Sequence, residues 1–261
     1  MNQGMDIPIL MYHDLEPGAT GSYAFGLPLR RFRGQLDDLQ RQGFETITFK
    51  ELFEALDGSG NLPRKPVILT FDDAYVSVAD YAVPLLLERG MKGTIFVVAD
   101  ALGGCNHWDM AQGAERMELM DQRMLETALA AGMEIGAHGC RHLNLEELDE
   151  AGRLDEIVRS RRKLEEVFGI KVNVFAYPYG AHNSCVADMV REAGYQGAVS
   201  IFSPASSVTA DRWRMRRVFP HRRDGKWRFR LKLSPLYLRF VAWREKWRLA
   251  SGDRADGRAF R

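Results

Sequence analysis

Short apolar runs alternate with segments of helical apolar spacing along most of this chain of 261 residues. The runs predict buried strands over Ile7–Tyr12, Val67–Phe71, Gly93–Val98, Met133–Ala137, Lys171–Ala176 and Gln196–Ile201. Between the first two runs, Phe32, Leu36 and Leu39 lie on one face of a predicted helix that stops at Gly43. Strands that alternate with helices predict an α/β fold, in which helices cover a mainly parallel sheet.

Two local patterns predict where helices begin. Thr48 and Glu51 have the spacing of a capping box, which opens a helix that continues through Leu56. The segment Asn144–Glu147 has a similar pattern, and helical apolar spacing continues from there to Gly169. We therefore expect helices to begin at both segments.

The basic residues are concentrated at the C-terminal end of the chain. Residues 211–261 contain 17 Lys and Arg against 5 Asp and Glu, whereas the rest contains 19 against 30. Aromatic residues from Trp227 to Trp247 are interleaved with these cations, a composition that suits a bilayer interface with anionic head groups. The alternatives are a closing helix that packs on the domain, and a partly disordered tail that only aids solubility. No nucleic-acid-binding fold is visible, so we expect no nucleic acid partner.

Composition also bears on the compartment. Cys105, Cys140 and Cys185 are too few and too scattered for a disulfide framework. We find no signal peptide pattern at the N-terminus and no stretch that is long and apolar enough to span a bilayer. The expectation is a cytoplasmic protein, or one that is peripheral on the inner face of the membrane.

Polar residues that suit metal chemistry follow three of the predicted strands. Asp72 and Asp73 follow one strand, His138 and His142 follow another, and Tyr179 follows a third. Catalytic groups gather at the carboxyl ends of parallel strands, so we expect these side chains to share one site. A divalent transition metal accepts a carboxylate oxygen and two imidazole nitrogens and leaves positions for water and substrate. The remaining carboxylate can take a proton from that water, which predicts a metal-dependent hydrolase.

Each part of this pattern has a simpler interpretation. An isolated aspartate pair can cap a helix, and a single histidine is usually structural. Cys140, between the two histidines, is a rival metal ligand because thiolates bind zinc well. Gly136 and Gly139 would let the backbone approach the site closely.

Three motifs together resemble the polysaccharide deacetylase domain, also called the NodB-homology domain or carbohydrate esterase family 4. They are Thr70-Phe71-Asp72-Asp73, His-x-x-x-His at 138 and 142, and Tyr177-Pro178-Tyr179-Gly180. The resemblance covers about residues 5–220 and leaves 221–261 as a basic, aromatic-rich extension. It implies a distorted (β/α) barrel and hydrolysis of N-acetyl groups on amino sugars, or of O-acetyl groups in some members.

The resemblance also implies a role for each motif residue. Asp72 would be the general base, and Asp73, His138 and His142 would hold the metal. The backbone N–H of Tyr179 would help stabilise the oxyanion. Zn²⁺ is the expected metal, although the ligand set also suits Co²⁺, Ni²⁺ or Fe²⁺.

A residue from another segment is the candidate donor of the proton that the leaving amine needs. The segment Leu10-Met11-Tyr12-His13-Asp14 resembles the first strand of a rearranged branch of the family, typified by poly-N-acetylglucosamine deacetylases. We therefore expect His13 to be the general acid, and a structural histidine that closes the barrel strand is the alternative. An ordinary histidine pKa suits the acid role.

The sequence departs from the family pattern at one position. The usual arginine that orients the base is replaced by Ala176, so Arg216 or Arg217 would have to supply the guanidinium. Trp108 lies in a long connection that could form a lid or a sugar-stacking platform, or pack in a minor core. Pro178 is a further candidate for a substrate contact.

These observations predict an enzyme that removes an N-acetyl group from an amino sugar of a polysaccharide or a lipid-linked glycan. An O-acetyl esterase or a deformylase acting on a lipid-linked sugar would use the same site. A third interpretation is a catalytically inactive carbohydrate-binding relic. The expected partners are the glycan and, through the C-terminal extension, an anionic membrane surface.

Overall fold

The structure, a computed structural model, describes residues 6–18, 25–205 and 207–251. The strands among these residues are β1 (Ile9–Tyr12), β2 (Leu15–Glu16), β3 (Leu27–Pro28), β4 (Glu45–Thr46), β5 (Pro66–Phe71), β6 (Thr94–Val97), β7 (Glu134–Ala137), β8 (Val174–Ala176), β9 (Gly197–Ser200) and β10 (Met215–Arg216). The α-helices are α1 (Leu29–Arg41), α2 (Phe49–Leu56), α3 (Val83–Glu88), α4 (His107–Met110), α5 (Gln122–Ala130), α6 (Glu150–Leu154), α7 (Ser160–Phe168), α8 (Ser184–Glu192), α9 (Lys226–Lys232) and α10 (Pro235–Ala250).

The main sheet is parallel throughout and nearly closes into a barrel. Its strand order is β1-β5-β6-β7-β8-β9-β10, with β4 also paired to β5. Beyond β10, the Val218 N–H donates to Ile9 O at 2.8 Å, and the Met11 N–H donates to Val218 O at 3.0 Å. These bonds join the last strand region to the first, and the predicted distorted (β/α) barrel is confirmed.

Both faces of the barrel strands are buried, as the continuous apolar runs require. In β5, Val67 and Leu69 belong to the larger core cluster, which also contains apolar residues of the surrounding helices. Ile68, on the opposite face, packs in a second cluster with Phe49 and Phe53 of α2. The strand period of two places Thr70 and Asp72 on the same face as Ile68.

One predicted helix start is confirmed and the other is wrong. At α2, Thr48 and Glu51 form both halves of the capping box. At Asn144, the side-chain oxygen instead accepts the Glu146 N–H in a local turn, and no helix follows. The helix over this region begins at Glu150, where Asp149 accepts the Gly152 N–H, and runs through a π-helical turn into α7.

The C-terminal helices pack on the barrel. Phe229 and Leu233 of the α9 region and Leu238 of α10 are buried in the larger core cluster. Arg230 of α9 also donates to the buried Asp38 carboxylate of α1. The predicted division of the chain at residue 220 stays a prediction, and residue 5 and residues 252–261 lie outside the described residues. Within the described residues, none of the helices combines the length and apolar character needed to cross a membrane.

Candidate active site

The aspartate pair lies where β5 ends. The Asp72 N–H still donates to Tyr12 O of β1, at 2.9 Å, so the chain is extended at this residue. Asp73 then adopts a positive φ of 66°, which turns the chain. Because the chain turns between them, the two adjacent carboxylates can both be buried at the same end of the barrel.

Asp72 is held by an arginine from another strand region. Arg217 Nη1 and Nη2 donate to the two carboxylate oxygens of Asp72 at 2.5 and 2.7 Å, and Nη1 also lies 3.2 Å from Thr70 Oγ1. Burial alone would raise the pKa of Asp72, but the charges of Arg217, His138 and His13 outweigh it and lower the pKa to about 2. Asp72 is therefore ionised at neutral pH and fixed in orientation.

The two arginine candidates differ in where they point. Arg216 donates to the carbonyl oxygens of Ile201 and Ser203 and lies 3.7 Å from Glu245 of α10. The proposed site role of Arg216 is therefore wrong, because adjacent residues of a strand point to opposite faces. Arg217 alone of the two contacts Asp72.

Three side chains converge on a position beside Asp72. Asp73 Oδ1 lies 3.7 Å from His138 Nε2 and 3.5 Å from His142 Nε2. All three potential ligand atoms lie within 4.8 Å of one another. His138 Nδ1 lies 2.8 Å from Ala176 O, and donation of its proton there leaves Nε2 with a free lone pair.

The electrostatics of this cluster fit a bound cation. Asp73 Oδ1 is buried and has no hydrogen-bond partner among the described residues. Burial, Asp72 and Asp109 raise the pKa of Asp73 well above its usual range. Burial and the neighbouring His138 lower the pKa of His142 well below its usual range, so its imidazole is neutral. Two neutral imidazoles and the Asp73 carboxylate oxygen form a ligand set that a divalent transition metal accepts.

Cys140 does not join this cluster. Its sulfur lies 3.4 Å from Asp155 O, and its backbone N–H donates to the buried Glu156 carboxylate at 2.9 Å. Burial raises the pKa of the Cys140 thiol to about 12, so it is protonated at neutral pH. The alternative in which this cysteine is a metal ligand is not supported by its placement.

Unusual backbone conformations are concentrated at the site. Among the described residues, the non-glycine residues with positive φ are Asp73, Ala74, His142 and Tyr179. Gly139 also has a positive φ of 77°, and a Cβ there would lie 2.7 Å from Glu156 Oε2. Backbone conformations of this kind cost free energy and commonly mark functional sites.

His13 lies at the end of β1, beside Asp72. Its Nε2 is 3.8 Å from Asp72 Oδ2, and its ring stacks on Phe25 with the centroids 4.7 Å apart. Burial lowers the pKa of His13 to about 4, although the charge of Asp72 opposes this shift. The imidazole is therefore neutral at neutral pH, and it can donate a proton only after receiving one.

Two aromatic candidates contact His142. The Tyr179 ring meets the His142 ring edge-on at 4.6 Å and is 37% exposed, while Pro178 is buried in the same short turn. The Trp108 indole stacks on the His142 ring at 4.6 Å but is only 7% exposed. Trp108 thus packs beside a histidine of the cluster, and its face is not an open platform for a sugar.

Sequence reasoning missed two polar residues beside Asp73. Tyr75 Oη donates to Asp109 Oδ2 at 3.1 Å, and the Tyr75 hydroxyl also bonds to the Asp73 side chain. Sequence patterns offered little reason to include them, because Asp109 lies in the long connection and is distinguished only by its position after Trp108. Their placement ties that connection to the cluster.

A nearly closed parallel barrel with this cluster at its carboxyl end defines the class of NodB-type deacetylase barrels. The family model described as polysaccharide deacetylase matches residues 59–198. The chain belongs to the polysaccharide deacetylase family.

Relatives and solved structures agree with this assignment. A Bacillus subtilis protein provisionally named as polysaccharide deacetylase YxkH is 28% identical over 81% of this chain and 70% of its own length. The poly-β-1,6-N-acetyl-D-glucosamine N-deacetylase of Staphylococcus epidermidis is 22% identical over 81% of this chain and 73% of its own. The solved deacetylase PplD of Streptococcus pyogenes has the same fold, with a TM-score of 0.77 and 21% identity over 89% of this chain and 100% of its own.

Proposed function

We propose that this protein is a metal-dependent hydrolase that removes the N-acetyl group from an amino sugar of a polysaccharide. The observation that carries the proposal is the convergence of Asp73, His138 and His142 within 4.8 Å, beside an aspartate paired with arginine. The family supports deacetylation, and the naming of a relative as a poly-N-acetylglucosamine deacetylase supports an amino-sugar polymer.

Asp73, His138 and His142 would hold a divalent transition metal, with Zn²⁺ as the first candidate and Co²⁺, Ni²⁺ or Fe²⁺ as others. When bound, such a metal lowers the pKa of water and polarises a carbonyl oxygen. The hydrogen bond from His138 to Ala176 O would keep the correct tautomer and ring orientation.

The remaining steps fall to residues of the chain. Asp72, ionised and oriented by Arg217, accepts the proton of the attacking water. His13, which is neutral at rest and lies 3.8 Å from Asp72, would take up the proton that Asp72 receives from the water and deliver it to the leaving amine. The Tyr179 N–H lies in the short turn after β8, where Tyr179 has a positive φ of 57°, and it would help stabilise the oxyanion.

The test measures bound metal and released acetate in parallel, on the wild type and on Asp73→Ala. The substrates are N-acetylglucosamine oligomers and an aryl acetate. Asp100→Ala is the matched control, since the Asp100 carboxylate pairs with Arg159 and Lys163 and is not one of the three ligand groups. We expect the wild type and the control to bind metal and release acetate, and Asp73→Ala to do neither.

The substrate panel also separates the alternatives. Release from the aryl acetate alone would favour an O-acetyl esterase. Release of formate from a formylated amino sugar, without acetate, would favour a deformylase. Absence of bound metal in the reconstituted wild type would contradict the proposal and favour a carbohydrate-binding relic. A lipid-linked substrate and a cytoplasmic location stay predictions.

A further inference from the structure

Exposed apolar side chains are concentrated on the two C-terminal helices. Ten large apolar residues are exposed in the described part of the chain, and six of them lie between residues 226 and 250. These six are Trp227, Leu231, Leu236, Phe240, Trp243 and Trp247. A concentration of this kind marks an interaction surface, whereas single exposed apolar residues do not.

The helix α10 carries apolar residues on two faces. Leu238, Val241 and Ala242 are buried against the barrel. Leu236, Phe240, Trp243 and Trp247 recur at helical spacing on the other face, with exposed fractions from 52% to 79%. A helix that is apolar on both faces is normally buried on both, so the outer face lacks a partner in the described structure.

The exposed charged residues of α9 and α10 have one sign. Lys226, Arg228, Arg244 and Lys246 are exposed, and none of them forms an ion pair with a described residue. The acidic residue of these helices, Glu245, is buried and pairs with Arg216 and Arg248. The face therefore presents aromatic rings and unpaired cations with no exposed carboxylate on α9 or α10.

From this face we propose that α9 and α10 bind the surface of an anionic lipid bilayer. Tryptophan rings favour the head-group level of a membrane, and unpaired Lys and Arg are attracted to anionic lipids. A second copy of the chain is a poorer occupant. In a two-fold dimer through this face, the cations of both copies would meet without carboxylates to pair them.

The contacts of α10 place this surface alongside the barrel. Arg239 pairs with Asp6, which precedes β1 at the amino edge of the sheet. Arg248 lies over the Phe202 ring, just beyond β9 at the carboxyl edge. The helix thus runs from one edge to the other, and its Trp243–Trp247 end lies toward the edge that carries the candidate active site. A bilayer on this face would bring the candidate active site close to membrane-proximal glycan.

The test is co-sedimentation of the full chain with phosphatidylcholine vesicles, with and without phosphatidylglycerol, at low and high salt. We expect binding only with phosphatidylglycerol, and weaker binding at high salt because salt screens the attraction. Three of the five tryptophans are exposed on α9 and α10, so the emission should also shift to the blue on binding. Trp108 is buried and contributes a constant background.

Two sets of variants separate the apolar and charged contributions. The apolar set is Phe240→Gln, Trp243→Gln and Trp247→Gln, with Leu87→Gln and Leu154→Gln as exposed apolar controls on other helices. The charged set is Lys226→Gln, Arg228→Gln, Arg244→Gln and Lys246→Gln, with Lys50→Gln, Arg123→Gln, Arg162→Gln and Lys171→Gln as controls of equal charge change. Each face set should weaken binding at least tenfold, and the controls less than about threefold.

Hydrolysis of a soluble substrate should be unchanged in every set, which also shows that the variants fold. The proposal is overturned if the wild type stays in the supernatant with anionic vesicles at low salt. It is equally overturned if the control sets reduce binding as much as the face sets. A wild-type dimer that the apolar set dissociates, without vesicle binding, would identify a second copy as the occupant instead.

Discussion

At the scale of single residues, the candidate site depends on a guanidinium that comes from the residue after β10 and not from β8. Ala176 stands where the sequence motifs led us to expect an arginine; its side chain is buried and its carbonyl accepts from His138. Arg217 lies beyond β10, two strands along the sheet, and donates to both oxygens of Asp72. Because the guanidinium donates two parallel hydrogen bonds, it fixes the orientation of the carboxylate plane, which a lysine ammonium cannot do.

Arg217→Lys should therefore lower kcat by about 10- to 100-fold while Arg216→Lys, the same change at the neighbouring residue, leaves kcat nearly unchanged. The guanidinium holds the pKa of Asp72 low, so its loss raises that pKa. The acid limb of the pH–rate profile should then move to higher pH in Arg217→Lys. An unshifted acid limb would mean that Arg217 does not control the ionisation of Asp72.

The proposed role of His13 in proton transfer can be tested by substitution. Its neutral imidazole lies 3.8 Å from Asp72 and is the candidate proton carrier to the amine. His13→Gln should lower kcat by about 100-fold with metal content unchanged. His182→Gln is the control, because His182 stacks on Tyr177 and lacks contact with the aspartates. If both substitutions reduced kcat equally, a structural role for His13 would be the better explanation.

At the scale of helices and strands, the sequence predicted the strands better than the site's supporting contacts. The apolar runs placed β5 and β7 within one or two residues, since both faces of these strands are buried. The choice between Arg216 and Arg217 was not accessible, because it depends on the register of β10, a strand of two residues paired to β9. The false helix start at Asn144 arose because the same local hydrogen bonds occur in a turn.

A contact between β7 and α2 also escaped the sequence. Glu134 accepts the N–H groups of Phe49 and Lys50 at the start of α2, and its carboxylate also accepts the Thr94 hydroxyl. It therefore caps a helix from a strand far away in the chain. Burial outweighs these hydrogen bonds and raises the pKa of Glu134 to about 7.

This raised pKa predicts a pH-dependent contribution to stability. The folded protein binds the Glu134 proton more tightly than the unfolded chain, so the contribution is full below about pH 4.5 and is lost as pH rises toward 7. The unfolding free energy of the wild type minus that of Glu134→Gln should fall by up to about 3 kcal/mol over this range. Chemical denaturation of both proteins at several pH values measures this difference.

Glu54→Gln is the control, because it changes an exposed carboxylate of α2, the helix that Glu134 caps. The difference in unfolding free energy between the wild type and Glu54→Gln should depend little on pH. A constant difference for Glu134→Gln would mean that the hydrogen bonds to the carboxylate outweigh its burial and keep Glu134 ionised throughout.

At the scale of the whole molecule, the candidate metal site joins separate parts of the barrel. Asp73 follows β5, the two histidines follow β7, and Trp108 stacks on His142 from the connection after β6. A metal bound by Asp73, His138 and His142 would link the segments that follow β5 and β7 in the folded state. The unfolded chain offers no such arrangement, so metal binding should stabilise the fold.

Removal of the metal should therefore lower the stability of the folded protein. At about 100 times the dissociation constant, a bound ligand adds roughly 2.7 kcal/mol to the unfolding free energy, which corresponds to about 5–10 °C in Tm for a chain of this size. Chelator treatment of the metal-loaded protein should lower Tm by this amount, and added Zn²⁺ should restore it. Asp73→Asn should abolish the response, whereas Asp100→Asn should keep it, since Asp100 pairs with Arg159 and Lys163 outside the cluster. A Zn²⁺-dependent shift that persists in Asp73→Asn would place the stabilising metal elsewhere in the molecule.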